Sequence, residues 1–144
     1  MIRYLLDTDV TSQADKQKPN KNTRTWLASV NDDELAISVI TLRERLEGAE
    51  RARQADSPSA SDIAADVEDL VRAYEGRILP VNEDAARRWA KLLVPDKSKS
   101  DDKAQLAVAA AHGLTLVTLN WKDVHGRGVS VLNPGRDPPK LYDP

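Results

Sequence analysis

Apolar positions along the chain gather in short runs, and longer amphipathic stretches separate them. Ile2 to Leu6 reads as a buried strand that stops at Asp7. Leu35 to Ser38, Arg77 to Val81, Leu114 to Thr118 and Ser130 to Leu132 are further short apolar runs. Helical spacing fills the intervals. Val10 to Ala14 predicts a short helix, and Thr23 to Val30 places Trp26, Leu27 and Val30 on one face. Val39 to Arg53 is helical in pattern and rich in Arg and Glu. Ile63, Val67, Leu70, Val71 and Tyr74 fall at i, i+4, i+7, i+8 and i+11, an amphipathic helix that Ser61 or Asp62 would cap. Glu83 to Leu93 turns Ala86, Trp89, Ala90 and Leu93 inward. An alanine-rich helix runs from Asp101 or Asp102 to Ala111 and stops at His112 and Gly113, Gly being a natural residue just past a helix end. QKPNKN, DSPSASD and VPDKSKS are loops. The tail NPGRDPPKLYDP, about residues 133–144, holds four prolines and is expected to lie irregularly over the surface.

Short strands alternating with helices predict an α/β fold: a mainly parallel sheet of about five strands flanked by helices. No repeat or boundary splits residues 1–144, so one domain is expected. The absence of cysteine excludes disulfides and thiolate metal sites. No run of about 18 apolar residues predicts a membrane span, and no secretory signal pattern opens the chain; a cytoplasmic setting is expected. A net charge of −2 does not mark a nucleic-acid binder. Local basic clusters do occur: Lys16, Lys18, Lys21 and Arg24; Arg43, Arg45, Arg51 and Arg53; and Arg87, Arg88, Lys91, Lys97 and Lys99. Such clusters are usually solvated faces. With Phe absent and aromatics at 4%, an aromatic stacking platform for bases is not expected.

In a parallel α/β sheet, ligands gather at the carboxyl ends of the strands. Asp7 follows the first strand directly, and Asn120 follows LTLVT by two residues, so both project at that edge. Glu44 lies near the start of the helix after the second strand, on a stripe with Ile40 and Gly48. Asp102 opens the alanine-rich helix, with Leu106 and Ala109 continuing its face inward. A carboxylate in such a place is more often a cap or a solvated side chain when taken alone. Three carboxylates and an amide brought to one rim repel one another and lose solvation, and a hard cation such as Mg²⁺ relieves both costs.

LLDTDV, SVITLRERLEG, RILPV, the block DKAQLAVAAAHGLTLVTLN and VSVLNP, in this order over nearly the whole chain, resemble the PIN-domain proteins. The likeness is to the VapC type, the toxin halves of bacterial type II toxin–antitoxin pairs. The resemblance implies an endoribonuclease that hydrolyses RNA phosphodiester bonds by a water activated with Mg²⁺ or Mn²⁺, and it needs no catalytic histidine. It assigns Asp7, Glu44, Asp102 and Asn120 as catalytic positions, with Asp7, Glu44 and Asp102 as metal ligands. Asp102 is preferred to Asp101 because it lies ten residues before His112. Asp9 stands where the family usually has Asn or Ser, and Lys103 and Gln105 stand where apolar residues are common. Asp9, Thr118 and Asp123 are expected to support the ligands from behind.

The same resemblance implies an RNA substrate, a VapB-like antitoxin, and a homodimer that can enter a larger toxin–antitoxin assembly. Lys16, Lys18, Arg43, Arg45 and Lys103 are the candidate phosphate contacts, and Trp26, Leu27 and the helix near Leu46 are candidate walls of an antitoxin groove or else core. Two alternatives stay open. DTDVT also fits a haloacid-dehalogenase-like phosphatase with Asp7 as nucleophile and Asp9 as acid, although no later acidic pair accompanies it. A PIN-like module without catalysis, binding partners only, is the other.

Overall fold

A computed structural model of the chain describes residues 1–15 and 19–144, with the side chains of 14 and 15 left aside. Lys16 and Lys18 lie outside the described residues. The elements follow in the order β1 (Tyr4–Leu6), α1 (Thr8–Thr11), α2 (Lys21–Ser29), β2 (Leu35–Ser38), α3 (Val39–Gln54), α4 (Ala60–Ala73), β3 (Ile78–Leu79), α5 (Glu83–Leu92), α6 (Ser100–His112), β4 (Thr115–Val117), α7 (Trp121–Val124), β5 (Val131–Asn133) and β6 (Lys140–Tyr142). Short 3₁₀ turns follow α1 and precede β2.

The sheet has six strands in the order β3-β2-β1-β4-β5-β6. The first five are parallel and β6 is antiparallel to β5. Adjacent residues on each strand face opposite sides, and this period of two explains why the runs are apolar throughout. Leu5, Ala36, Leu116 and Val131 pack one face against Leu106, Val108 and Ala109 of α6 and Val124 of α7. Their neighbours Leu6, Ile37, Val117 and Leu132 pack the other against Val10, Trp26, Leu70 and Tyr74. Both faces are therefore covered by helices. Trp26 is core, edge-on to Tyr4 with ring centroids 5.2 Å apart, and Leu27 packs beside it.

Several elements depart from the expectation. The amphipathic helix α4 begins at Ala60 with Ser59 at its cap, ahead of Ser61 and Asp62, because Ser57 accepts the Ala60 amide in the preceding turn. The tail is not irregular throughout. Its central prolines fall in the turn, which leaves Lys140–Tyr142 free to pair with β5 at the sheet edge. Tyr142 stacks on Trp121 of α7 at 4.6 Å and 10°, a contact that holds the strand in place. Asn22 also donates to the Gly135 carbonyl at 3.1 Å. Among the described residues no helix is long and apolar enough to cross a membrane.

The order of strands sets the position of the site. From β1 the chain moves outward to β2 and β3, then returns to place β4 on the other side of β1. The loops after β1 and β4 diverge, and a crevice opens between them at the carboxyl edge.

Candidate active site

Asp7 leaves β1 at that crevice, the residue 6% exposed. It caps α1: its Oδ1 accepts the Thr8 amide at 2.8 Å. Its Oδ2 accepts the Thr118 hydroxyl, from the end of β4, at 2.8 Å. Thr118 Oγ1 in turn accepts the Asn120 amide at 3.0 Å and lies 3.3 Å from Asp9 Oδ2. Asp9 also receives the Leu119 amide at 3.2 Å. The loop after β4 is thus tied to two carboxylates from the loop after β1.

Behind Asp7 lies a buried polar chain that sequence reading did not find. Gln105 of α6 is fully buried. Its Oε1 accepts the Ser38 hydroxyl at 2.7 Å, and its Nε2 donates to Thr41 Oγ1 at 2.7 Å. The same amide approaches Asp7 Oδ1 at 3.5 Å. Thr8 donates its hydroxyl to Thr41 at 3.1 Å. Ser38 also caps α3, accepting the Ile40 amide at 3.1 Å. The signal that could have found it is a Gln among apolar residues, three positions past Asp102, on a helix that packs under the sheet. A buried amide holds its place only where both its donor and its acceptor are met.

Asp7, Asp9, Glu44, Asp102 and Asn120, with Thr8 and Ser12, line one cavity of about 410 Å³. Asp9 is in the lining itself, not behind it. Asp101 turns outward to Arg43, 2.5 Å away, and its neighbour Asp102 faces the cavity. Asn120 Nδ2 donates to Asp102 Oδ2 at 3.2 Å. Asp123 sits beyond the lining, paired with Lys99 at 2.8 Å.

The carboxylates hold their protons more tightly than usual. Burial, then the Asp9 charge, pushes Asp7 up to about 7, against the pull of its Thr118 and Thr8 bonds. Burial also raises Asp9, Glu44 and Asp102, the last two helped by Asp101 and Asp123 respectively. Such crowding of oxygen donors suits a hard divalent cation, which would favour the ionised forms. Among the described residues no three acidic or histidine side chains already form a cage for a metal ion. A cation of the Mg²⁺ kind commonly takes one or two carboxylates and completes its shell with water, so the donor set fits it.

Of three expected phosphate contacts, Lys103 is withdrawn from solvent, and Arg43 and Arg45 hold local partners at or near the surface. Lys103 is 4% exposed, its ammonium turned to the Asp96 carbonyl and 3.8 Å from the Asp96 carboxylate. Arg43 bridges Glu47 and Asp101. Arg45 reaches the Thr11 carbonyl at 3.4 Å. The phosphatase alternative needs a lysine beside Asp7, and among the described lining residues none is lysine.

The PIN domain family matches residues 4–123, and the chain belongs to that family. Its likeness within the family is to toxins. It is 27% identical over 135 residues to VapC ribonuclease Y4jK of Sinorhizobium fredii, covering 90% of this chain and 96% of that protein. It is 27% identical over 138 residues to toxin FitB of Neisseria gonorrhoeae, covering 92% and 99%. A solved structure of FitAB bound to an IR36 DNA fragment superposes with a TM-score of 0.81 at 27% identity, covering 92% of this chain and 96% of that one.

Proposed function

We propose that this chain is a divalent-metal-dependent endoribonuclease, the toxin of a VapBC-like pair. The observation that carries the reading is the gathering of Asp7, Asp9, Glu44, Asp102 and Asn120 on one cavity at the β1/β4 crevice. Asp7, Glu44 and Asp102 would hold Mg²⁺ or Mn²⁺, with Asp9 beside them. Bound there, the cation supplies neutralising charge at a phosphoryl oxygen and acidifies a water.

The chain's own groups do the rest. Thr118 and the Thr8 amide fix the two oxygens of Asp7, and Gln105 closes the space behind it. Asp9, beside the proposed ligands and bonded to Thr118 and the Leu119 amide, is the carboxylate available to take up the proton of an attacking water. Asn120, held to Asp102, orients that carboxylate, and Asp123 holds Lys99 at the rim. A VapB-like antitoxin and a homodimer are part of the proposal, supported by the likeness to FitB and to FitAB. Leu46, 45% exposed over a shallow apolar groove between α3 and α4, remains the available wall for the antitoxin, since Trp26 and Leu27 are spent in the core.

The test uses purified chain without antitoxin, labelled RNA, and Mg²⁺ or Mn²⁺. The parent should cut, EDTA should stop it, and Asp7→Asn should not cut while its circular dichroism stays native. Cutting by Asp7→Asn at the parent rate would remove Asp7 from the chemistry. Calorimetry that detects no Mn²⁺ binding at micromolar levels would instead favour a binding module without catalysis.

A further inference from the structure

The third basic cluster of the sequence is not used by the acidic site, and the fold gives part of it a different setting. Arg87, Arg88 and Lys91 of α5 face Arg127, in the loop before β5, across a cleft of about 450 Å³. Leu106 and Ala110 of α6 lie on its floor. Arg87 and Arg88 each hold an exposed partner one helical turn back, Glu83 at 3.1 Å and Asp84 at 3.0 Å. Such pairs are worth little in water and yield readily to a phosphate. Lys91 and Arg127 have no ion-pair partner within 4 Å among the described residues, and with Asp84 the one acid in its lining the cleft is net positive, although Arg127 also feels Asp96 and Asp123.

The cleft and the acidic cavity share α6. Asp102 stands at its first turn, and Leu106 and Ala110 follow at i+4 and i+8, about 6 and 12 Å further along the axis. Those distances correspond to on the order of two to four stacked nucleotides of one strand. Arg127 lies four residues past Asp123, which pairs with Lys99 at the N-terminal end of α6. No aromatic ring lines the cleft among the described residues, so base stacking is not available and the backbone is what it can grip.

We infer that the α5/α6 cleft, through Arg87, Arg88, Lys91 and Arg127, is a second RNA-contact site that binds backbone phosphates of the strand entering or leaving the acidic cavity. This rests on the ribonuclease reading and extends it to how substrate is held. Contacts of this kind are independent of sequence and strongly dependent on salt.

The experiment reverses two exposed charges, Lys91→Glu with Arg127→Glu, and compares a charge-retaining control, Lys91→Arg with Arg127→Lys. RNA binding is followed by fluorescence anisotropy in EDTA over a range of salt, with sedimentation and thermal melting on the same samples. The reversal should weaken RNA binding on the order of tenfold and make the salt slope shallower by about two, one for each lost phosphate contact. The control should bind as the parent does. If the parent binds and cuts RNA and the reversal binds equally well with the same slope, this inference fails and the ribonuclease reading stands. If the parent neither binds nor cuts RNA, the ribonuclease reading fails and the inference goes with it. A reversal that changes the sedimenting species overturns the inference in favour of an interface between copies of the chain.

Discussion

Asp7→Asn tests the physical reasoning at its most exposed point, because the residue proposed to be essential should also destabilise the metal-free protein. The substitution keeps shape. The Asn side-chain oxygen can still accept the Thr8 amide, and Asn caps a helix as well as Asp does. The new amide nitrogen can donate to Thr118 Oγ1, whose hydroxyl is then free to donate to Asp9 at 3.3 Å. What is removed is a buried charge. The Asp7 carboxyl titrates near 3.8 in an unfolded chain and at about 7 in the folded one. Its folded-state proton affinity is raised, so the folded protein binds more protons between those values. Stability therefore falls as pH rises through that window, by at most ~1.4 kcal/mol per pH unit. The accumulated loss above pH 7 is about 4 kcal/mol, shared with Asp9 because the two carboxyls titrate as a pair. Below the unfolded value the difference vanishes.

Urea unfolding in EDTA, followed by tryptophan fluorescence at a series of pH values, reads this directly. The variant should match the parent near the acid end and exceed it by about 2–4 kcal/mol at the alkaline end. Added Mn²⁺ at a thousand times its dissociation constant should stabilise the parent by about 4 kcal/mol, do little for the variant, and so close or reverse that gap. Parallel pH profiles, with the variant less stable throughout, would refute the claim that burial and Asp9 strain the Asp7 carboxylate.

Three further outcomes follow from the same contacts. Gln105→Leu strands Ser38 and Thr41 without their buried partner and should cost about 1–3 kcal/mol by urea unfolding, with weaker Mn²⁺ binding in calorimetry. Thr118→Val removes the hydroxyl that holds the Asp7 carboxyl down; the acid limb of the pH–rate profile should move to higher pH, and an unmoved limb would exclude that role. Tyr142→Ala unstacks β6 from Trp121, which should cost about 0.5–1.5 kcal/mol beyond lost burial and admit protease at the C-terminal strand, read by limited proteolysis and mass spectrometry.

The order of strands and helices was legible in the sequence because it rests on local information. Leu5 and Leu6 are both apolar since a strand covered on two faces must satisfy both, and Gly113 ends α6 because its φ of 67° suits a residue without a side chain. Asp7, Glu44, Asp102 and Asn120 could be selected as candidates from their places at the ends and starts of such elements. Other features could not be read locally. The tail strand depends on Tyr142 meeting Trp121, and the buried setting of Lys103 depends on the Asp96 loop folding over it. The exchange among Ser38, Gln105 and Thr41 joins residues more than sixty positions apart, and Asp9 enters the cavity only because Thr118 and Leu119 arrive from the far side of the crevice. Periodicity fixes which way a side chain points on its own element. Which charge it then meets, and how much water is left to it, is decided when separate elements pack together, and that packing turns ordinary aspartates into a strained carboxylate group.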